Sequence, residues 1–411
     1  SGAQQAAVID ETGAAQRFDL VNGQWVDESS SKGELVRNAD NSWTYTMYDN
    51  TVKTYNASGQ IRTIKNFLNH DLTFNYVNGR LSTVTDEFGR TISFTFNGSG
   101  LVSDVLDPDQ QKYSYRYNGT NLQYVYFPDA TPNNLDDNAY KEYHYENAQY
   151  PNALTGITDE ERKRFATWKY DSFGRAWSSE HAGKEVETVS YNSDGTVTTT
   201  NQKGRSTIFS FASIKGLLKV TDVVGEQTSN CAAAFQNRTY DPDTGFVDTT
   251  TDWRGNVTEY ETNEYGQVES KIVHDTGLGW ARTLGGEVTY ESSVEYDSKQ
   301  LPWNITTPGL YETRTYTSEN RPWVITKTDT TNHSVPYSTN GQVRQWQYTY
   351  VMHTGTDIVK TITLDGPRSD NDQIVQEFDL QGNLISVKNS KNHEVRFTDY
   401  NAKGQPGNKY D

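Results

Sequence analysis

A chain of 411 residues and 46.5 kDa is longer than one ordinary hydrophobic core supports, so several domains or a repeat architecture is expected. The net charge of −17 and the pI of about 4.9, with no basic stripe, exclude nucleic acid as the main partner and favour solubility outside cells or attraction to basic partners. Hydrophobic residues reach only 33% while aromatics reach 12%, with 27 tyrosines, a balance that suits a thin tyrosine-covered sheet and predicts an all-β protein.

Residues 1–17 are small and polar without periodicity and are expected to form a loose N-terminal arm. The pattern turns β at Phe18, where Asn22-Gly23 between apolar runs is a strong hairpin signal. A Ser-rich linker follows, and Trp43, Tyr45 and Met47 alternate with polar residues as a strand requires. Residues 18–50 thus read as an N-terminal β-hairpin segment leading into a repeat region over 51–411.

The clearest repeat copy is Tyr170, Asp171, Ser172, Phe173, Gly174 and Arg175. Asp at the first position of a type I turn accepts hydrogen bonds from the backbone ahead of it, and Gly at the fourth supplies the left-handed conformation that closes the turn as a bulge. The tyrosine ends the incoming strand and packs on the sheet face. Related copies start at Tyr55 (with Gly59), Tyr76 (Gly79), Phe96 (Gly100), Tyr191 (Gly195) and Tyr240 (Gly245). Others start at Thr262 (Gly266), Phe378 (Gly382) and Tyr400 (Gly404), with a poorer one at Tyr296. Asn121 and Asn320 are expected to stand in for Gly, since Asn tolerates positive φ.

A second series lacks the leading aromatic: Asp86 with Gly89, Asn201 with Gly204, Asp222 with Gly225 and Asp252 with Gly255. Asp107 with Gln110 and Asn389 with Asn392 occupy equivalent places. Turn starts at 86, 97, 107 and 118 are spaced 11, 10 and 11, giving strands of about seven residues and a repeat of about 21. The segments between alternate, as in Ile92, Phe94 and Phe96, or Tyr113, Tyr115 and Tyr117, or Trp346, Tyr348 and Tyr350. This predicts a long antiparallel meander. Four stretches break the rhythm and are expected as loops: 127–140, 274–287, 329–342 and 353–373. Residues 158–165 have the composition of one helical turn but sit where a repeat turn is due.

Chemistry-bearing residues are sparse. The seven histidines are scattered singly, with no zinc spacing, and no P-loop, dinucleotide fingerprint or nucleophile elbow occurs. Most aspartates sit at turn position one, where the backbone explains them better than a glycosidase pair would. Asp370, Asn371 and Asp372 lack the spacing of a calcium loop and read as solvated. Cys231, the single cysteine, reads as a small packed hydrophobe. No enzyme, cofactor or metal is expected, and no stretch is long and apolar enough to span a membrane as a helix.

The aromatic-Asp-x-x-Gly-Arg unit at 170–175, in a repeat of about 21 residues, resembles the YD repeat of the Rhs family. That family includes bacterial polymorphic toxins, the B and C components of insecticidal toxin complexes and animal teneurins. The resemblance covers roughly 40–411, and 81–108 looks like the amino-terminal half of an Rhs core. It implies a β-strand spiral winding into a hollow shell that holds a carboxy-terminal toxin. The Asp-Pro-x-Gly-Leu segment at which Rhs cores close is not found, since Asp241-Pro242-Asp243-Thr244-Gly245 lies mid-chain and reads as a turn with one extra residue.

Ser1-Gly2-Ala3 reads as a cloning remnant and Tyr410-Asp411 falls inside a possible repeat copy, so a fragment of a longer exported protein, secreted or on the cell surface, is expected. Its expected role is structural: shell wall, partnered by the rest of the same polypeptide, with self-association through open sheet edges. Tyr55, Gly59, Gly89, Tyr170, Asp171, Gly174, Arg175, Tyr191, Gly195, Tyr240, Gly255, Gly382 and Gly404 are the residues expected to build it. The alternative is an adhesin whose exposed Trp and Tyr rings stack on cell-surface glycans.

Overall fold

The computed structural model describes residues 4–27, 33–47, 49–68, 70–131, 134–225, 234–275, 288–332 and 339–410. They hold 35 β-strands in one sheet and no helix. In each described register, a strand runs antiparallel to the next strand of the chain, for example Arg164–Tyr170 with Ala176–His181 and Leu310–Tyr316 with Pro322–Asp329. The all-β meander is therefore the fold. Cys231 and His333 lie outside the described residues, as do most of the expected loop at 274–287 and much of that at 329–342.

Four local expectations need correction. Of the expected loose arm at 1–17, the described part is ordered: Gln5–Ile9 pairs with Ala15–Val21 through a turn closed by Gly13. Alternating Ala6 and Val8 supply the inward side chains of that short strand. Asp222 and Gly225 do not form a turn, because Leu217–Gly225 runs through them as one strand, with Val223 opposite Phe209 and Val224 opposite Ile208. Two adjacent β-branched residues favour the ladder there, and the turn falls earlier, at Lys215-Gly216, both with positive φ.

Gly119, at φ 61, takes the left-handed position expected of Asn121, which instead opens the strand Asn121–Tyr126 opposite Asn118. Asn320 does adopt φ 65. The stretch 353–373 contains the strand Val359–Asp365, whose alternating Val359, Thr361 and Thr363 carry an ordinary strand signal.

Very little of this chain is enclosed. Its accessible surface of 25897 Å² exceeds the roughly 16,000 Å² of a compact monomer of its mass. Five hydrophobic residues are buried among those described, and four of them form one cluster: Val8, Phe18, Leu35 and Tyr45. Phe18 is fully buried and meets Tyr45 edge-on at 6.0 Å, although their strands are not ladder neighbours. The strands Gln24–Asp27 and Glu34–Arg37 share only the pair Trp25 and Leu35, so the sheet folds over there and Trp25 packs on Trp43 at 5.2 Å. Gly33 has to be glycine, since a Cβ would lie 2.2 Å from the Tyr45 ring.

Some later strands have one face half-buried and the other largely polar. Along Val343–Met352, Trp346, Tyr348 and Tyr350 are half-buried while Gln345, Gln347 and Thr349 are exposed. Phe94, Tyr115 and Tyr348 are half-buried rather than enclosed between layers.

Compactness divides the chain into two units. One comprises Ser1–Thr91, Glu259–His274 and Val288–Asp411, and the other Ile92–Thr258 and Asp275–Glu287. Because the one filled core among the described residues lies in the first unit, Phe18→Ala is expected to cost about 3–5 kcal/mol there. Hydrogen exchange should show lost protection over the strands of residues 5–46, with the strands of 92–258 unchanged.

Candidate functional surface

The repeating element is a five-residue turn. At 171–175 the Asp171 N–H donates to Arg175 O at 2.9 Å and the Gly174 N–H to Asp171 O at 3.1 Å. Asp171 Oδ1 accepts the N–H groups of Phe173 and Arg175, both at 2.9 Å, so one side-chain oxygen satisfies two turn donors. Gly174 takes φ 77. The same backbone pair recurs at Asn56, Asp86, Asn97, Asn192, Asn201, Asp252, Asn263, Asp379 and Asn401. Gly59, Gly89, Gly195, Gly255, Gly382 and Gly404 occupy its left-handed position. Arg162, Gln110, Gln300 and Asn392 take the same conformation without being glycine, which puts a repeat turn, not a helical one, at 159–163.

The tyrosine does more than pack. At several leading aromatics the ladder slips by one residue, as between Lys169 and Tyr170 or Thr315 and Tyr316, whereas Tyr191 pairs with Val197 without a slip. Such a bulge disrupts the ladder locally. The hydroxyl of a later tyrosine reaches back to it: Tyr191 donates to Ala176 O at 2.9 Å, Tyr240 to Val220 O at 2.7 Å and Tyr316 to Pro302 O at 2.7 Å. Tyr350 reaches Pro322 O at 2.8 Å and Tyr400 reaches Leu384 O, while Tyr170 donates to Leu154 O, at no such slip, at 2.7 Å. Composition alone gave no sign of this role, although the preference for Tyr over Phe is its trace. Tyr55 is the most perturbed, its hydroxyl pushed up to about 12 by burial and by Tyr45.

Arg175 links repeats laterally. Its Nε donates to Asp171 Oδ2 at 2.8 Å, and its guanidinium lies 5.0 Å from the Phe173 ring and 4.0 Å from that of Tyr191, one repeat on. The thirteen expected residues are thus distributed along turns and strand ends and do not converge on one cleft.

Within the first unit, early turns meet late ones. Asn50 Nδ2 donates to Lys299 O, and Asn320 Nδ2 to Phe67 O at 2.6 Å. The Phe88 ring lies against Gly382, where a Cβ would come within 2.5 Å of its Cζ. Arg90 Nη1 would lie 2.8 Å from a Cβ on Gly404. These turn-to-turn joints link residues more than 240 positions apart.

Charged groups are consumed by structure. Glu312 is 6% exposed; burial opposes its ionisation, but Arg314 and Lys327, at 2.5 and 3.1 Å, hold its carboxyl below the usual range. Asp372, from the loop considered for calcium, accepts the N–H groups of Gly366 and Arg368, and Asp370 pairs with Arg368. His144 meets Thr158 Oγ1 at 2.8 Å and His353 meets Phe378 O at 2.9 Å. Among the described residues no group of three His, Cys, Asp or Glu side chains could hold a metal.

Gly382→Val is expected to destabilise the first unit by about 2–4 kcal/mol, through strain at φ +72 and collision with Phe88. Gly59→Val, at φ +79 with open space around it, should cost only the conformational share, about 1–2 kcal/mol. Thermal melting of the two variants separates the packing contribution from the backbone one.

A second expectation concerns acid. Burial pushes the Asp171 and Asp252 carboxyls up, but turn N–H groups outweigh it and hold both below the ordinary 3.8; turn N–H groups lower Asp194 and Asp241 likewise. Depressed folded-state values mean that this stability is fully present above about pH 4 and is lost as pH falls below it. Melting temperature should therefore be flat from neutral pH to about 4.5 and fall beneath that. Asp171→Asn should keep the turn and remove its share of the acid sensitivity.

No family model and no curated protein matches the chain. Solved structures do. A Photorhabdus luminescens Tc holotoxin pore carrying a TccC3 substitution aligns over 98% of this chain at 16% identity, with a TM-score of 0.53. Crystal structures of TcdB2-TccC3 and of TcdB2-TccC3-TEV align over 97% each, at 15% and 16% identity and TM-scores of 0.54 and 0.52. This chain spans 23% of the length of each of those chains. The turns, the meander and its length thus give this chain the fold of part of a Tc toxin assembly, consistent with the YD-repeat resemblance of its sequence.

Proposed function

We propose that the chain is a non-enzymatic wall segment of a hollow YD-repeat shell, exported as part of a longer polypeptide, that keeps a toxin or effector segment apart from the cell until delivery. The observation that carries this reading is the alignment of 97–98% of the chain with toxin-assembly structures through a fold that encloses almost no core of its own. A surface so extended is suited to enclosing something else. The use of turn carboxylates, Glu312, His144 and His353 in local structure supports a role without chemistry.

A second reading has one specific observation behind it. Trp177, Trp303 and Trp323 occupy the same repeat position, the residue skipped by the ladder slip, and all three are exposed, Trp303 by 42% and Trp323 by 50%. Trp303 and Trp323 sit two strands apart, about 10 Å in the hydrogen-bonding direction, a spacing that suits stacking on alternate rings of an extended glycan.

One experiment addresses both. The chain is expressed with its natural downstream sequence and exposed to protease: the wall reading expects the downstream segment to survive until the sheet is unfolded. Cleavage of that segment while the sheet stays intact rejects it. A glycan-array signal abolished by Trp303→Ala with Trp323→Ala would establish the adhesin reading instead.

A further inference from the structure

Two copies of one turn motif differ in what covers them. Asp86-Glu87-Phe88-Gly89-Arg90 and Asp171-Ser172-Phe173-Gly174-Arg175 share their local geometry. In each, the arginine Nε donates to the aspartate Oδ2, at 2.6 and 2.8 Å, and the guanidinium stands 5.0 Å from the phenylalanine ring. Phe88 is held against Gly382 of a distant turn. Phe173 is 78% exposed, the most exposed large hydrophobic side chain among the described residues.

The receiving turn has a twin as well. Gly382 closes Asp379-Leu380-Gln381-Gly382-Asn383, in which Asn383 Nδ2 donates to Asp379 Oδ2 at 2.9 Å. Asp252-Trp253-Arg254-Gly255-Asn256 repeats it, with the corresponding bond at 3.0 Å and φ 83 at the glycine. Both turns carry an exposed apolar residue in second place, Leu380 and Trp253. Gly382 is filled by the Phe88 ring, whereas nothing lies within 4 Å of a Cβ position on Gly255. The covered pair joins turns from opposite edges of the meander, and the uncovered pair also lies on opposite edges, since successive turns alternate.

We propose that Phe173 is an intermolecular knob and that its socket is the Gly255 turn of a second copy of this chain, docked as Phe88 docks on Gly382 within one copy. Knob and socket lie on different turns, so the contact is heterologous and leaves a free knob at one end and a free socket at the other. Association is then head-to-tail and open-ended. The bare Cα at positive φ is what admits an aromatic ring so closely. This contact is independent of whether the chain encloses a cargo.

The test is sedimentation velocity of the intact chain over a concentration series. The wild-type chain is expected to associate reversibly beyond the dimer. Phe173→Asp should raise the concentration of half-association by roughly tenfold or more, with an unchanged melting temperature. Gly255→Asn, which fills the socket with a residue that tolerates positive φ, should do the same. Mixing the two variants restores one knob and one socket, so the mixture should form a heterodimer and grow no further. A wild-type chain that stays monomeric up to roughly 100 µM overturns the proposal. So does either variant associating like wild type, or a mixture that remains monomeric.

Discussion

One side-chain oxygen that accepts two backbone N–H groups sets the whole architecture. In Asp171, and equally in Asn56, Asn97 and Asp379, Oδ1 bridges the second and fourth residues ahead of it. That bridge bends the chain back within five residues and requires positive φ at the fourth. Repeated along the meander, it leaves room for short strands of 3 to 10 residues and forces antiparallel pairing with the strand just completed. Two further stabilising devices depend on this spacing. The tyrosine hydroxyls reach their carbonyls because successive bulges fall at comparable places, and Arg175 reaches Tyr191 because the next turn lies one repeat away.

The sequence is most legible where the chemistry is local. Asp171 and Gly174 are separated by two residues, and everything that makes them a turn lies inside that span, so the meander could be read from the pattern. Asn320 at positive φ shows the same logic, while Asn121 shows its limit: two glycine-like candidates stood close together and Gly119 took the role. Asp222 to Gly225 imitates a turn on paper but carries two valines whose cross-strand partners are Ile208 and Phe209, and those partners decide the outcome. The strand Gln5–Ile9 was illegible for the opposite reason. Its alanines and single valine give a weak pattern, and it is ordered by Phe18 and Tyr45, which lie further along the chain.

Least legible were contacts between distant turns. Nothing in the residues around Phe88 indicates that its ring will close over Gly382, because the relation depends on where the meander carries the later strands. The Tyr316 hydroxyl is an intermediate case. Its target is a carbonyl at a bulge, and the bulge follows from turn geometry rather than from any residue type. Function suffers most from this, since a surface made of recurring turns distributes its distinctive residues instead of gathering them.

The strict pairing of each described strand with its immediate successor also bears on how the protein comes into being. Ladder contacts form between segments that are adjacent in sequence, so each new hairpin can add to the sheet as it leaves the ribosome, without waiting for the remote end of the chain. The one filled hydrophobic cluster among the described residues, Val8, Phe18, Leu35 and Tyr45, is complete within residues 8–45, ahead of the repeats. Within this stretch, the segment best able to hold itself together is thus made before the repeats that follow it, which add by templating onto an existing edge. The joints that tie residues 50–90 to 299–404 come last.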